Sequence, residues 1–290
     1  MNHDPRLAEN GPLPEREDIS SARDNPLVHR FHSNSDLGMR FLWYLWLALA
    51  LPCGMVAQTV LLLSTGNSTL NNQTKTVLEN ADYSVTIGNP YTTFTGAELS
   101  GVDVVLLFPN NNWSSGDMTL TAQAALKSFV QAGGGLITSE WTNWKVGSGR
   151  FSTLKSILPV VSTTQYTGGS TITYTQVTSD RELNAGLPSS FAFNGDNFAG
   201  VESLFAAKTG ATVYYSSSGG SGGAGVVGWD VGSGRVIQLS TVAGSTQLAH
   251  SQYSLLLQNS VKWTAVPEPA TYLLMLGGLG LILLLARRRR

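Results

Sequence analysis

Ser139, Glu140 and His250 carry the side-chain types that nucleophilic chemistry needs. Ser139 and Glu140 are adjacent in the stretch Thr138-Ser139-Glu140-Trp141, and His250 is the one histidine between residues 58 and 265. A serine hydroxyl becomes a nucleophile when a base lies within hydrogen-bond reach and a third group orients that base. The three residues supply those types and are the candidate catalytic set of a secreted hydrolase. Against this, the turn lacks the flanking glycines of a nucleophile elbow. Spacing does not bring residues 139 and 250 together, and His250 also reads as the first residue of a helix. A second set is aromatic. Trp113, Trp141 and Trp144, with Tyr91, offer flat apolar faces for sugar rings at strand ends, where open α/β sheets bind ligands. The alternative packs the same rings into the core beneath loops.

Composition removes several other chemistries. Charged residues make up 13% of the 290, about half the usual share. Residues 58–265 hold nine Lys/Arg against eleven Asp/Glu, a net charge of 9 − 11 = −2. With no basic face to meet a phosphate backbone, nucleic acid is not an expected partner. The only cysteine is Cys53, and the other three histidines precede residue 33. Disulfides, Cys-ligated zinc, multi-His metal sites and a thiol nucleophile are therefore excluded from the central span. Asp103, Asp196 and Asp230 lack metal-ligand spacing, and Gly133–Gly135 precedes a strand where phosphate binding needs a following helix. No metal and no cofactor is expected.

The elements that must position these residues are legible in the apolar pattern. Thr59–Ser64, Tyr83–Ile87, Val102–Phe108 and Leu136–Ser139 read as strands, Val102–Phe108 apolar on both faces as a central parallel strand requires. Thr69–Ala81, with Ser68 or Thr69 as cap, and Thr121–Ala132 read as helices between them. That alternation implies right-handed crossovers and a flavodoxin-like, doubly wound, mostly parallel α/β sheet. The C-terminal half is β-rich. Residues 163–179 suggest a hairpin or small insertion, and Ala211–Ser216 and Val226–Asp230 read as strands. Arg235–Thr241 pairs back antiparallel after the turn at 231–234, and Gln252–Trp263 closes as a helix. Ser216–Gly225 reads as a solvated loop.

The two ends read as addresses. Arg40, the eleven-residue apolar run 41–51 and the small residue Ala57 describe a secretory signal peptide over 39–57, cut after Ala57 by signal peptidase. Residues 1–38 carry four Arg and seven Asp/Glu and read as a disordered leader. Met39-Arg40 offers the conventional start, so the leader is expected to be a mis-assigned start, with a cytoplasmic tail as the rival reading. Residues 270–286 hold no charge; as a helix they span about 26 Å, enough to approach an about 30 Å hydrocarbon core. A transmembrane helix is expected there, its end held on the cytoplasmic side by Arg287–Arg290, with the body at 58–265 exported.

Pro267-Glu268-Pro269, the apolar segment with Gly277, Gly278 and Gly280, and the terminal arginines resemble a PEP-CTERM sorting signal over 266–290. The resemblance implies an exosortase substrate. Such a protein is held in the inner membrane, cleaved near the triplet, and passed to the cell surface or extracellular matrix of a Gram-negative bacterium. Pro267, Glu268 and Pro269 would then be a recognition site for the sortase.

The body resembles the class I glutamine-amidotransferase-like superfamily, in the branch similar to trehalose-utilisation proteins. The matching pieces are DVVLLF at 103–108, FVQAGGGLITSE at 129–140, GLP at 186–188, GWDVGSGRVIQLS at 228–240 and LLLQNSVKW at 255–263. That family's nucleophile follows the strand that here is Leu136–Ser139, where this chain offers Ser139-Glu140-Trp141 in place of cysteine. The family's histidine follows a late strand, and His250 lies nine residues beyond Thr241. The resemblance therefore implies loss of glutaminase activity. Three functions follow: a surface or matrix protein binding exopolysaccharide or a surface protein without chemistry; a secreted hydrolase of exopolysaccharide or peptide; and a permanently membrane-anchored periplasmic module. The first is the expected one.

Overall fold

Val60 to Leu63 form an unbroken apolar run, and each is at most 2% exposed. A strand with no polar face must be covered on both sides, and β1 (Thr59–Ser64) is. It pairs in parallel with β2 (Ser84–Pro90) and β3 (Val104–Leu107). β3 pairs in parallel with β4 (Gly135–Thr138), and β4 with β13 (Gly234–Leu239). From β13 onward the pairing is antiparallel, through β12 (Val226–Val231), β11 (Thr212–Ser217), β7 (Thr171–Gln176) and β8 (Ser190–Asn194). These nine strands run in the order β2-β1-β3-β4-β13-β12-β11-β7-β8, and apart from them β5 (Val160–Val161) pairs antiparallel with β10 (Ala206–Ala207). The computed structural model describes residues 57–109, 116–167, 171–195, 202–219 and 223–265, together with 278, 280, 282 and 285–287. The chain divides into Met1–Met55 and Val56–Arg290, and every described residue belongs to the second unit.

Strand residues alternate between two apolar layers. Val60, Leu62, Val104, Leu106 and Ile137 face α1 (Ser68–Glu79) and α5 (Ser251–Thr264), packing with Leu70, Leu78, Leu256, Leu257 and Val261. Leu61, Leu63, Val105, Leu107 and Leu136 face α2 (Leu120–Gln131) through Ala122, Leu126 and Val130. Thr119 caps α2 through Ala122 N–H at 3.2 Å. Asn67 caps α1, its Oδ1 accepting from Leu70 N–H at 3.1 Å. The cap thus lies one residue before Ser68 and two before Thr69, the two expected, because the asparagine amide reaches the third residue of the turn as well as a hydroxyl does. The β12–β13 hairpin turns at Gly232, whose φ of +64° fits the left-handed backbone a two-residue loop needs.

Two sequence expectations are corrected here. Residues 163–179 do not form a hairpin. β6 (Tyr166–Thr167) pairs with β9 (Glu202–Ser203), while β7 joins β8 and β11. Alternation identifies a half-buried strand and says nothing of its partner. The expected transmembrane helix at 270–286 is also corrected: among the described residues no helix is long and apolar enough to cross a membrane. Seventeen residues sit at the lower bound for spanning, and Gly277, Gly278 and Gly280 weaken the segment further as a helix. Within it, helix is described only at 278, 280, 282 and 285–286. The leader, the signal segment 39–57 apart from Ala57, Trp113, Asp196 and Pro267-Glu268-Pro269 lie outside the described residues.

Candidate functional site

The carboxyl ends of β4 and β13 are tied together by side chains that the parallel pairing brings level. Thr138 Oγ1 donates to Gln238 Oε1 at 2.7 Å, and Gln238 Nε2 donates to the Ser139 carbonyl at 2.8 Å. Glu140 N–H donates to the Thr241 carbonyl, and Thr142 Oγ1 to the Leu107 carbonyl at the end of β3. α3 (Glu140–Gly147) therefore starts at the strand ends themselves. This is the edge at which open α/β sheets bind ligands.

Ser139 is 1% exposed, in ordinary extended backbone at φ −122° and ψ −178°. The strained turn that thrusts a nucleophile to the surface is absent. His250 stands between α4 (Ser245–Ala249) and α5, stacked on Phe191 with centroids 6.4 Å apart and tilted against Phe193 at 6.1 Å. Its Nδ1 is buried without a partner. Among the described residues no hydrogen bond joins His250 to Ser139 or Glu140; the rings of Phe193 and Tyr253, 5.1 Å apart, link His250 to the neighbourhood of Glu140.

Glu140 itself is wholly buried, and neither carboxyl oxygen has a hydrogen-bond partner. Burial, with the negative field of Glu202 added, lifts its pKa well above the usual carboxylate range. Glu202, on β9, is equally buried; its Oε1 accepts from the hydroxyls of Ser217 and Ser240, the latter at 2.8 Å. Burial raises its pKa too, and the two hydroxyls oppose that shift. Around this pair runs a hydroxyl chain. Tyr174 OH meets Ser240 Oγ at 3.0 Å and Thr241 Oγ1 at 3.2 Å, and Thr241 Oγ1 meets Tyr253 OH at 3.1 Å. Burial pushes both phenols above their ordinary range.

Aromatic rings form a ledge beside this polar web. Trp141 packs edge-on against Trp144 at 6.2 Å and tilted against Tyr166 at 6.2 Å. Trp141 is only 4% exposed and serves as the base of the ledge, whereas Tyr166 is 47% exposed and Trp144 half-buried. Tyr91, paired with Phe151 at 5.9 Å, is core. Sequence reasoning passed over Glu202, Tyr174, Tyr253 and Tyr166. The available signal for Glu202 was a single acid inside the apolar stretch 201–205, V-E-S-L-F.

Residues 265–290 match the PEP-CTERM protein-sorting motif. No curated protein matches the chain. Among solved structures, the chain is similar to a ThuA-like protein from Bacteroides uniformis, with a TM-score of 0.57 and 13% identity, over 76% of this chain and 97% of that one. A ThuA-like protein from Parabacteroides merdae gives 0.51 and 16%, over 73% and 91%. A cytoplasmic protein of Salmonella typhimurium LT2 gives 0.55 and 14%, over 72% and 100%. At these identities the likeness is one of fold, and it agrees with the trehalose-utilisation branch that the sequence resembles. The motif implies processing by an exosortase and export to the cell envelope of a Gram-negative bacterium.

Proposed function

We propose that this exosortase-sorted protein is a surface or matrix component whose α/β body binds a saccharide without covalent catalysis. The observation that carries this reading is the ledge of Tyr166 and Trp144 on Trp141, beside the carboxyl ends of the parallel strands, where open α/β sheets generally bind ligands. Flat aromatic faces with polar tips suit sugar rings, which present one apolar and one hydroxylated side. Ser139, closed to solvent and unstrained, and His250, packed against the rings of Phe191 and Phe193, give no support to a nucleophilic step. The carboxyl oxygens of Glu140 are sealed from the surface and so stand away from a polymer substrate. After cleavage near Pro267-Glu268-Pro269, the body would remain with the exopolysaccharide it binds.

Tryptophan emission tests the reading. Titrating the full chain with the host's exopolysaccharide should shift or quench emission saturably, and Tyr166→Ala should weaken the interaction about tenfold, equal to about 1.4 kcal/mol. An unchanged spectrum across neutral and acidic polysaccharides would refute saccharide binding.

A further inference from the structure

The nine-stranded sheet has two edges, β2 and β8. A bare edge offers a row of N–H and C=O groups to another chain, and folded proteins blunt their edges with charges, prolines and irregular pairing. β2 is blunted. The Lys75 ammonium donates to the Val85 carbonyl at 2.6 Å, Asn89 N–H donates to Glu98 Oε1 at 3.4 Å, and the strand ends at Pro90, where its register shifts. β8 carries no such device. Its sequence, S-F-A-F-N, holds no charge, proline or glycine, and its pairing with β7 runs from Thr171↔Asn194 to Thr175↔Ser190 without a shift. In that ladder Gln176 N–H donates to the Ser189 carbonyl at 2.7 Å. Bonded pairs alternate along an antiparallel ladder, so Phe191 and Phe193 bond to β7, while the N–H and C=O of Ser190, Ala192 and Asn194 point outward. Among the described residues no hydrogen bond takes these outward groups. The same three residues have exposed side chains, whereas Phe191 and Phe193 are 7% and 2% exposed.

We propose that β8 pairs antiparallel with β8 of a second copy of this chain, about a two-fold axis at Ala192, joining two sheets into one. The strand reads nearly the same in both directions. An axis at Ala192 sets that residue against itself, Ser190 against Asn194 of the second copy, and Phe191 against its Phe193. The residues whose backbone groups face outward then meet only one another, so each of their pairs exchanges both N–H···O bonds. Paired residues lie on the same side of a sheet. Serine and asparagine therefore stay on the exposed side, and the phenylalanines meet on the covered side as aromatic cross-strand pairs. A slip of one residue would set outward backbone groups against inward ones and turn exposed side chains over the core. An uncharged strand meets no repulsion from its own copy, and an isologous contact closes as a dimer. An extended segment of another protein could use the same bonds; the symmetry of S-F-A-F-N favours a copy of this chain.

Sedimentation velocity of the full chain over a wide range of concentration tests this. Dimer should accumulate as concentration rises. Ser190→Lys with Asn194→Lys sets like charges opposite each other at both ends of the seam and should weaken dimerisation about tenfold. Ser190→Lys with Asn194→Glu sets opposite charges there and should preserve it. Both positions are exposed, so each double variant should keep the wild-type circular dichroism spectrum. The terminal segments are common to all three chains, so a difference among them reports on β8. A wild-type chain that stays monomeric throughout would overturn the proposal and leave the edge to a strand from another protein. Dimerisation unchanged in the first variant, or lost equally in both, would also overturn it. Saccharide plays no part in the measurement, so its result stands apart from the reading of the aromatic ledge.

Discussion

At the scale of single residues, Glu140 sets the behaviour of the site. Its carboxyl is buried, has no hydrogen-bond partner and lies in the field of Glu202, so its folded-state pKa is raised well above the ordinary 4.5. A carboxyl raised on folding contributes its stability fully below the unfolded pKa and loses it as pH rises through the folded one. Wild-type stability should therefore be lower at pH 8 than at pH 4. Glu140→Gln, which removes the charge and keeps the shape, should flatten that fall and exceed wild type at pH 8. Urea midpoints at the two pH values measure it; an equal fall in both proteins would contradict the assignment. The sequence made Glu140 visible because it follows a recognisable strand. Its partner Glu202 was hidden, since it lies sixty-two residues away on a two-residue strand whose pairing with Tyr166–Thr167 no local pattern announces. Trp141 was visible for its type, but its burial beneath Tyr166 is a tertiary fact.

At the scale of elements, legibility follows periodicity. β1 spans the residues expected of it, because four consecutive buried aliphatics have few other solutions, and α1 and α2 fall within two residues of expectation at each end. α3 was missed. Six of its eight residues are buried, so it shows no alternation of polar and apolar faces to read. β8, whose Phe191 and Phe193 hold His250, was missed although S-F-A-F-N alternates, since five residues give a weak signal. The cap of α1 gives a test at this scale. Asn67→Ala should lower stability by about 1 kcal/mol, with Ser68→Ala costing only a few tenths of that. Chemical denaturation of the two variants decides it, and a larger loss in Ser68→Ala would return the cap to the hydroxyl.

At the scale of the whole molecule, the C-terminal address is the most readable part of the chain, because a sorting motif is recognised as linear sequence and needs no partner from elsewhere in the fold. The same segment misled where a three-dimensional property was inferred from it: an uncharged run of seventeen residues suggested a spanning helix, and none is found among the described residues. Replacing Pro267, Glu268 and Pro269 by alanine should leave export intact and abolish cleavage. The intact mass should then retain residues 266–290, while the wild-type surface form loses them. A released form of identical mass in both strains would refute processing at the triplet.

The central claim is that the exported body binds saccharide and does not transform it. One incubation tests both halves: the full chain with the host's exopolysaccharide, assayed for bound fraction and for newly formed reducing ends. Saturable binding, weakened about tenfold in Tyr166→Ala, with no new reducing ends, is the result this account predicts. New reducing ends that vanish in Ser139→Ala or Glu140→Gln would contradict it.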